Sequence, residues 1–243
     1  MIDSHPEWFK EALSVDKEQR SIKVEGDTIC YQKWGDNTKP GMVLVHGSGS
    51  HSHWWDFIAP LLLEDFQISA IDLSGMGDSD HRADYSPELY GKEILSVAED
   101  SNFFEVSDPI ICGHSMGGFM SAYAGLISDK KLGGVIMVDS PIRPPTYDYS
   151  THVRSGPIRR IKTYPDRESI LERFRLTPEQ DCENEYLVKY IAEWSVKEAN
   201  NGYQWKFDDT IFDKLGFSHM TKNQAFELEC NLGIIYGTES NMM

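Results

Sequence analysis

Residues 112–118, Cys-Gly-His-Ser-Met-Gly-Gly, decide how the rest of the chain is read. Gly113 and Gly117 flank Ser115 at a spacing of two, and a short apolar strand, Pro109–Cys112, runs into the motif. Beyond it Met116, Phe119, Met120, Tyr123 and Ile127 recur on one face of a helix. A tight strand-to-helix turn needs small residues at 113 and 117. It forces the residue between them into a strained backbone that lifts its side chain clear of the sheet. Ser115 would also stand at a helix N-terminus, where unpaired N–H groups and the helix dipole favour developing negative charge. The plainer reading is a glycine-rich turn that only packs helix against strand. A phosphate-binding loop is excluded, because no Gly-Lys-Ser/Thr follows.

Working outward, strands and helices alternate. Residues 21–35 read as two strands turning at Glu25-Gly-Asp27, and Met42-Val-Leu-Val-His46 is a continuous apolar run typical of a strand buried on both faces. Trp54, Trp55, Ile58, Leu61 and Leu62 follow at helical spacing. Phe66–Leu73 is the next strand and opens into the glycine-rich loop Asp72-Leu-Ser-Gly-Met-Gly-Asp-Ser-Asp80; Glu88–Glu99 reads as a helix and Leu132–Val138 as a strand ending at Asp139. This order predicts a mostly parallel sheet covered on both faces, with ligands at the carboxyl ends of its strands. From Pro141 to about Leu228 the alternation stops. Prolines 141, 144, 145, 157, 165 and 178 and two amphipathic stretches (Ile170, Leu171, Phe174; Leu187, Tyr190, Ile191, Trp194) predict a helical insertion over the sheet. Asn231–Gly237 resumes the strand pattern.

The loop His46-Gly-Ser-Gly-Ser50 follows the strand at 42–45. Gly47 lets its backbone approach closely. An N–H from this loop, taken as that of Ser48, can meet the N–H of Met116 at the carbonyl oxygen of a substrate held by Ser115. Each such donor contributes on the order of 3 kcal/mol to stabilising a transition state. The strand-His-Gly loop, the Asp72–Asp80 loop and the Gly-His-Ser-Met-Gly-Gly elbow, in that order, resemble the α/β-hydrolase-fold superfamily. The resemblance is to its esterase-like branch with a cap between the sixth and seventh strands. It implies a core at 1–140, a helical cap at 141–228 and a seventh core strand within 229–243. A serine at the elbow, where haloalkane dehalogenases and epoxide hydrolases carry aspartate, implies acyl chemistry on an ester, thioester, amide or similar carbonyl compound, with no cofactor.

That resemblance also implies a triad in the order serine, acid, histidine. The acid belongs after the seventh strand in a Gly-x-x-Asp pattern, but the stretch here is Gly237-Thr-Glu-Ser240. Glu239, one residue early, and Asp139, after the sixth strand, are the two candidates. The bland readings are a turn or capping aspartate and an exposed loop carboxylate. Of the eight histidines, His46 and His114 belong to the two loops, His5 and His81 look like surface residues, His51 and His53 follow the oxyanion loop, and His152 and His219 lie in the insertion. None follows the seventh strand. The leading expectation is therefore of a C-terminally incomplete sequence lacking the last strand, the histidine loop and the final helix, roughly 40–60 residues; a cap histidine serving in place of the missing one and a non-catalytic descendant are the alternatives.

Composition narrows the alternatives. The chain of 243 residues carries a formal charge of -16, which argues against a nucleic-acid partner or an anionic membrane surface. No apolar run reaches membrane-spanning length, the N-terminus lacks signal-peptide features, and the four scattered cysteines show no CxxC spacing, so a cytoplasmic protein with reduced thiols is expected. His51-Ser-His53-Trp-Trp-Asp56 superficially resembles a zinc site, but Phe57 stands where a further histidine is needed, and no metal is expected. The expected partner is a small-molecule carbonyl substrate. The alternative is a non-catalytic binding protein on the same fold. Tyr186, Tyr190, Trp194, Tyr203 and Trp205 of the insertion could line an acyl or aryl pocket, or only pack helix on sheet.

Overall fold

The computed structural model describes residues 5–140, 142, 160–177, 179–215 and 227–240. His152, His219 and Pro141, Pro144, Pro145, Pro157 and Pro178 lie outside these residues. Seven strands form one sheet: β1 (Glu18–Val24), β2 (Asp27–Trp34), β3 (Gly41–Val45), β4 (Gln67–Ile71), β5 (Ile110–His114), β6 (Gly134–Val138) and β9 (Leu232–Ile235). Their spatial order is β1-β2-β4-β3-β5-β6-β9. The first two strands join antiparallel, and every pairing from β4 through β3, β5 and β6 to β9 is parallel.

All five residues of β3 and of β4 are buried, as the unbroken apolar run of β3 requires of a parallel strand covered on both faces. Side chains still alternate. Val43 and Val45 join a core with Tyr90, Ile94 and Val97 of helix α2 (Pro87–Asp100) and Met120 of α4 (Met116–Ile127). Met42 and Leu44 face the opposite cluster, with Trp34, Ile68 and Ala70. Helix α2 begins where Ser86 accepts the Leu89 N–H at 3.1 Å and Pro87 supplies a pre-set φ at the first turn. The span 54–62 forms two 3-10 turns, Ser52–Trp55 and Ala59–Leu62, instead of one α-helix. Pro60 falls in the second turn, where it supplies no N–H to carry a longer helix onward.

Between β6 and β9 lie α5 (Arg167–Leu171), α6 (Glu185–Trp194), the antiparallel hairpin β7 (Val196–Ala199) and β8 (Gly202–Trp205), and α7 (Ile211–Lys214). The insertion expected to be helical therefore also contains a hairpin. Two buried hubs fasten this segment to the core. Asp56 collects His53 Nδ1, Tyr190 Oη and Lys17 Nζ at 2.5–2.7 Å, joining the 3-10 turns, α6 and the chain after helix α1 (Glu7–Ser14). Asp208 accepts from Tyr85 Oη at 2.8 Å, from the Thr210 N–H and hydroxyl, and pairs with Lys214 at 3.3 Å. Burial by itself would raise the Asp208 pKa; the donors from Thr210 and Tyr85 and the charge of Lys214 outweigh it and hold the group at about 2.

A third polar hub lies under the sheet's amino-terminal edge. Arg82 Nε meets the fully buried Glu93 at 3.0 Å, while Arg82 Nη2 donates to Val24 O at 2.7 Å. Glu93 also takes the Ser74 N–H at 3.0 Å, which ties the loop after β4 to α2.

Two predictions concern these hubs. Removing one member of the buried Arg82–Glu93 pair strands the other charge, so Arg82→Met lowers unfolding stability in urea by about 3–5 kcal/mol. The double variant Arg82→Met/Glu93→Met recovers a large part of that loss, and an Arg82→Met protein as stable as wild type would refute the role. Because the folded-state pKa of Asp208 lies below the ordinary 3.8, its stabilising contribution is full above that value and disappears as pH falls toward about 2. Over that window Asp208→Asn should lose less stability than wild type, as thermal melts across the pH series would read.

Candidate active site

Strand β5 ends at His114 and α4 begins at Met116, so Ser115 alone makes the turn, with φ 53° and ψ -121°. A non-glycine residue in that region costs about 1–3 kcal/mol and persists only where neighbours enforce it. Here they do. Gly113 lies against the Gly117 carbonyl and the Ser121 hydroxyl, and Gly117 lies against the carbonyls of Val45 and His46, so that a Cβ at either glycine would collide with its neighbours. The Ser115 N–H donates to Val138 O at 2.8 Å, and the Ser140 hydroxyl donates to Ser115 O at 2.7 Å. The turn is thus clamped from β3 on one side and from the end of β6 on the other.

Ser115 is half-buried at the floor of a cavity of about 490 Å³. The loop after β3 forms one wall. A Cβ on Gly47 would stand 3.1 Å from His114 Nδ1 and 3.4 Å from Ser115 Cβ, so a side chain there would crowd the elbow. Ser48 and Gly49 are exposed and line the cavity. Met116 opens α4 beside them, and its N–H belongs to the first turn, which has no intrahelical acceptor. Gly47 and Ser48 thus line the cavity with Ser115, Met116 follows the serine directly as the first residue of α4, and Gly113 and Gly117 flank the turn.

His46 holds this loop in place. Its Nδ1 lies 2.7 Å from Gly47 O and its Nε2 accepts the Leu73 N–H at 3.1 Å, so Nδ1 carries the proton and both nitrogens are engaged. Burial lowers its pKa, favouring this neutral form. Asp72, at the end of β4, accepts the Ser52 N–H at 2.6 Å and the Asp78 N–H at 2.9 Å, and so joins the loop after β3 to the glycine-rich loop after β4.

The two candidate acids are placed differently. Asp139 follows β6 with φ 49°, and its N–H donates to Ile235 O of β9 at 2.7 Å. Its Oδ2 accepts from the Ser240 hydroxyl at 2.8 Å, while Oδ1 is buried with no hydrogen-bond partner among the described residues. Ser240, which occupies the position where the acid was first sought, thus meets the carboxylate at the end of the neighbouring strand. Asp139 is also close enough to raise the pKa of His114 against the larger, lowering effect of burial. Glu239 is exposed in the turn after β9.

No imidazole hydrogen-bonds the Ser115 hydroxyl among the described residues. His51 Nε2 lies 2.9 Å from Ser195 Oγ, which itself donates to Ile191 O, so Nε2 is the protonated nitrogen. Burial drives the His51 pKa well below its ordinary value. His53 is bonded to Asp56 and stacked on Trp194 with ring centroids 3.6 Å apart. Within the zinc-like stretch His53 and Asp56 thus pair with each other while His51 turns to Ser195, and among the described residues no group of three or more metal-ligating side chains converges. His5 packs on Phe9 and Tyr186, and His81 is exposed.

Sequence reading missed most of the cavity's other wall, where Arg173, Phe174, Arg175, Trp205, Lys206 and Asp208 come from the inserted segment. Of these, the sequence offered only Trp205 as a pocket residue and read Phe174 as part of an amphipathic stretch. Tyr186 and Tyr190 pack instead with Phe9 and Phe57. A second cavity, of about 330 Å³, shares Gly47, Ser50, Trp54, His114 and Leu176 with the first and is otherwise mainly apolar, with Trp55, Phe57, Ile58, Leu187, Val188 and Ile191. Among the described residues no helix is long and apolar enough to cross a membrane.

Comparison with known proteins agrees with this architecture. A serine hydrolase-like protein of Danio rerio is 30% identical over 130 residues, which is 51% of this chain and 39% of that protein. The uncharacterized hydrolase YugF of Bacillus subtilis is 26% identical over 140 residues, or 55% of this chain and 50% of that protein. The chain thus spans half or less of the length of these curated relatives. A solved thioesterase domain from the curacin biosynthetic pathway superposes with a TM-score of 0.71 at 20% identity, covering 94% of this chain and 85% of that domain, a likeness of fold. The profile of the alpha/beta hydrolase family matches residues 42–213, more than half of the sequence, and the chain belongs to that family.

Proposed function

We propose that the protein is a serine hydrolase that cleaves an ester, thioester, amide or similar carbonyl compound through an acyl-enzyme on Ser115. The observation that carries this reading is the strained φ of 53° at Ser115, enforced by glycines that admit no side chain, at the floor of a substrate-sized cavity. A turn that merely packed helix on strand would not need a serine at its most strained residue.

In this mechanism the Ser115 hydroxyl adds to the carbonyl carbon and gives up its proton to an imidazole. The carbonyl oxygen becomes an oxyanion, held by the N–H of Met116 and by an N–H of the loop after β3, assigned to Ser48. The imidazole returns its proton to the leaving group as the tetrahedral centre collapses to the acyl-enzyme. Water then repeats the sequence and frees Ser115. Asp139 is the acid that orients the imidazole. Its support is the unpartnered, buried Oδ1, its place at the strand end next to the elbow, and the Ser240 hydroxyl that fixes the other oxygen. Glu239 lacks such an anchor among the described contacts. We place the imidazole outside the described residues: His46 has both nitrogens bonded, His53 is paired with Asp56, His51 Nε2 is engaged by Ser195, and no hydrogen bond joins His114 to the Ser115 hydroxyl among the described residues.

A fluorophosphonate probe tests the nucleophile directly. Labelling should map to Ser115 by peptide mass spectrometry and vanish in Ser115→Ala. Absence of labelling in the native full-length protein would instead favour a ligand-binding protein on this fold. For the acid, Asp139→Asn should cut kcat/KM on an activated ester by on the order of 10³–10⁴-fold, whereas Glu239→Gln should leave it within about twofold. The reverse pattern would transfer the role to Glu239.

A further inference from the structure

A third cavity, of about 590 Å³, adjoins the Ser115 cavity and shares four wall residues with it: Arg173, Arg175, Trp205 and Phe207. Its remaining lining is Arg160, Ile161, Lys162 and Tyr164. Among the described residues, four of the eight that line it are cationic and none is acidic, in a chain whose acids outnumber its bases 39 to 23. Composition alone does not produce such a chamber.

The cations are also poorly matched with protein counter-charges. Neither Arg173 nor Lys162 has a carboxylate within ion-pair distance among the described residues. The Arg175 guanidinium donates only to the backbone carbonyls of Glu172 and Phe174, at 2.9 and 2.6 Å. Arg160 reaches Asp209 and Asp213 only at 3.6 and 3.8 Å. Of the acids at the border, Asp208 is already committed to Tyr85, Thr210 and Lys214, and Asp209 accepts the Ile161 N–H at 2.6 Å. The walls themselves are held firmly: Tyr164 is bridged to Tyr203 of β8, and Phe174 packs on Trp205 with ring centroids 6.0 Å apart.

The apolar cavity under α6 also adjoins the serine's own, sharing Gly47, Ser50, Trp54, His114 and Leu176 with it. The cavity of the reacting serine therefore adjoins both an apolar chamber and a cationic one. Resting on the reading of Ser115 as the reacting group, we infer that the substrate is amphipathic: an apolar group occupies the chamber lined by Trp55, Leu187 and Ile191, and an anionic oxygen group, phosphate or carboxylate, is held by Arg173 and Arg175. Two guanidinium forks at the mouth between two cavities suit planar or tetrahedral anionic oxygen groups, which each fork can bind through paired N–H donors.

Equilibrium binding to the Ser115→Ala protein tests this without requiring turnover, so a failed hydrolase assay leaves the result readable. Three thioesters with one acyl group serve as probes: hexanoyl-CoA, which carries phosphates; S-hexanoyl thioglycolate, which carries a carboxylate; and S-hexanoyl-N-acetylcysteamine, which is neutral. At least one anionic probe should bind tenfold or more tightly than the neutral one, with that advantage shrinking as ionic strength rises. Arg173→Gln/Arg175→Gln should abolish the advantage while leaving the affinity for the neutral probe within about twofold; both arginines are exposed, so folding is not at stake. A preference for the CoA ester alone assigns phosphate, and one for the thioglycolate alone assigns carboxylate. Equal binding of all three, or an anion preference untouched by the double variant, overturns the inference. Labelling of Ser115 by the fluorophosphonate would then still stand.

Discussion

The architecture depends on one constraint: a serine must hold a positive φ at the point where β5 becomes α4. Local sequence cannot stabilise that conformation, because its cost is intrinsic to any residue with a Cβ. Stability comes from the surroundings. The sheet presses β3 carbonyls onto Gly117, the end of β6 accepts the Ser115 N–H, and Ser140 donates to the Ser115 carbonyl. The strain is thus distributed over three strands whose own apolar burial is large. Placement of the hydroxyl is a by-product of packing the core, which explains why the glycines are as necessary to the site as the serine.

Around that point the walls are assembled by buried carboxylates in an acidic chain. Asp72 joins the two loops that follow β3 and β4, Asp56 fastens α6 to the 3-10 turns and Lys17, and Asp208 fastens the chain after β8 to Tyr85 and Lys214. Each buried carboxylate gathers several donors, the condition under which burying a charge is tolerable. The inserted segment is thereby held at two separated points, and the cavity between it and the sheet has a defined shape. Its polarity is uneven, apolar under α6 and cationic beyond Arg173, and that asymmetry gives the reading of an amphipathic substrate its physical basis.

Much of this was legible in the sequence, and what was not has a physical explanation. The continuous apolar run at 42–45 announced a parallel strand because burial on both faces leaves little room for polar side chains, 66–73 read as the next strand although it carries Gln67 and Ser69, and the elbow announced itself because close backbone approach permits only glycine. The hairpin β7–β8 did not, since its residues are only partly buried and include Lys197, Glu198 and Gln204 between apolar neighbours. Helical spacing at 54–62 overstated the element, because Pro60 and tight 3-10 turns satisfy the same periodicity over so short a span.

The sequence by itself determined the identity of the nucleophile candidate, the order of the sheet strands along the chain, and the loop that faces the serine. These follow from patterns within a dozen residues, where backbone sterics and side-chain periodicity act directly. Tertiary structure alone decided that Ser240 would meet Asp139 across 101 residues, that His51 would be spent on Ser195, and that Arg173 and Arg175 would share a wall with Ser115. Those outcomes depend on which distant segments are brought together when the sheet closes and the insertion folds over it. No local pattern encodes them, because a charge or hydroxyl acquires its role only from the neighbours that packing assigns to it.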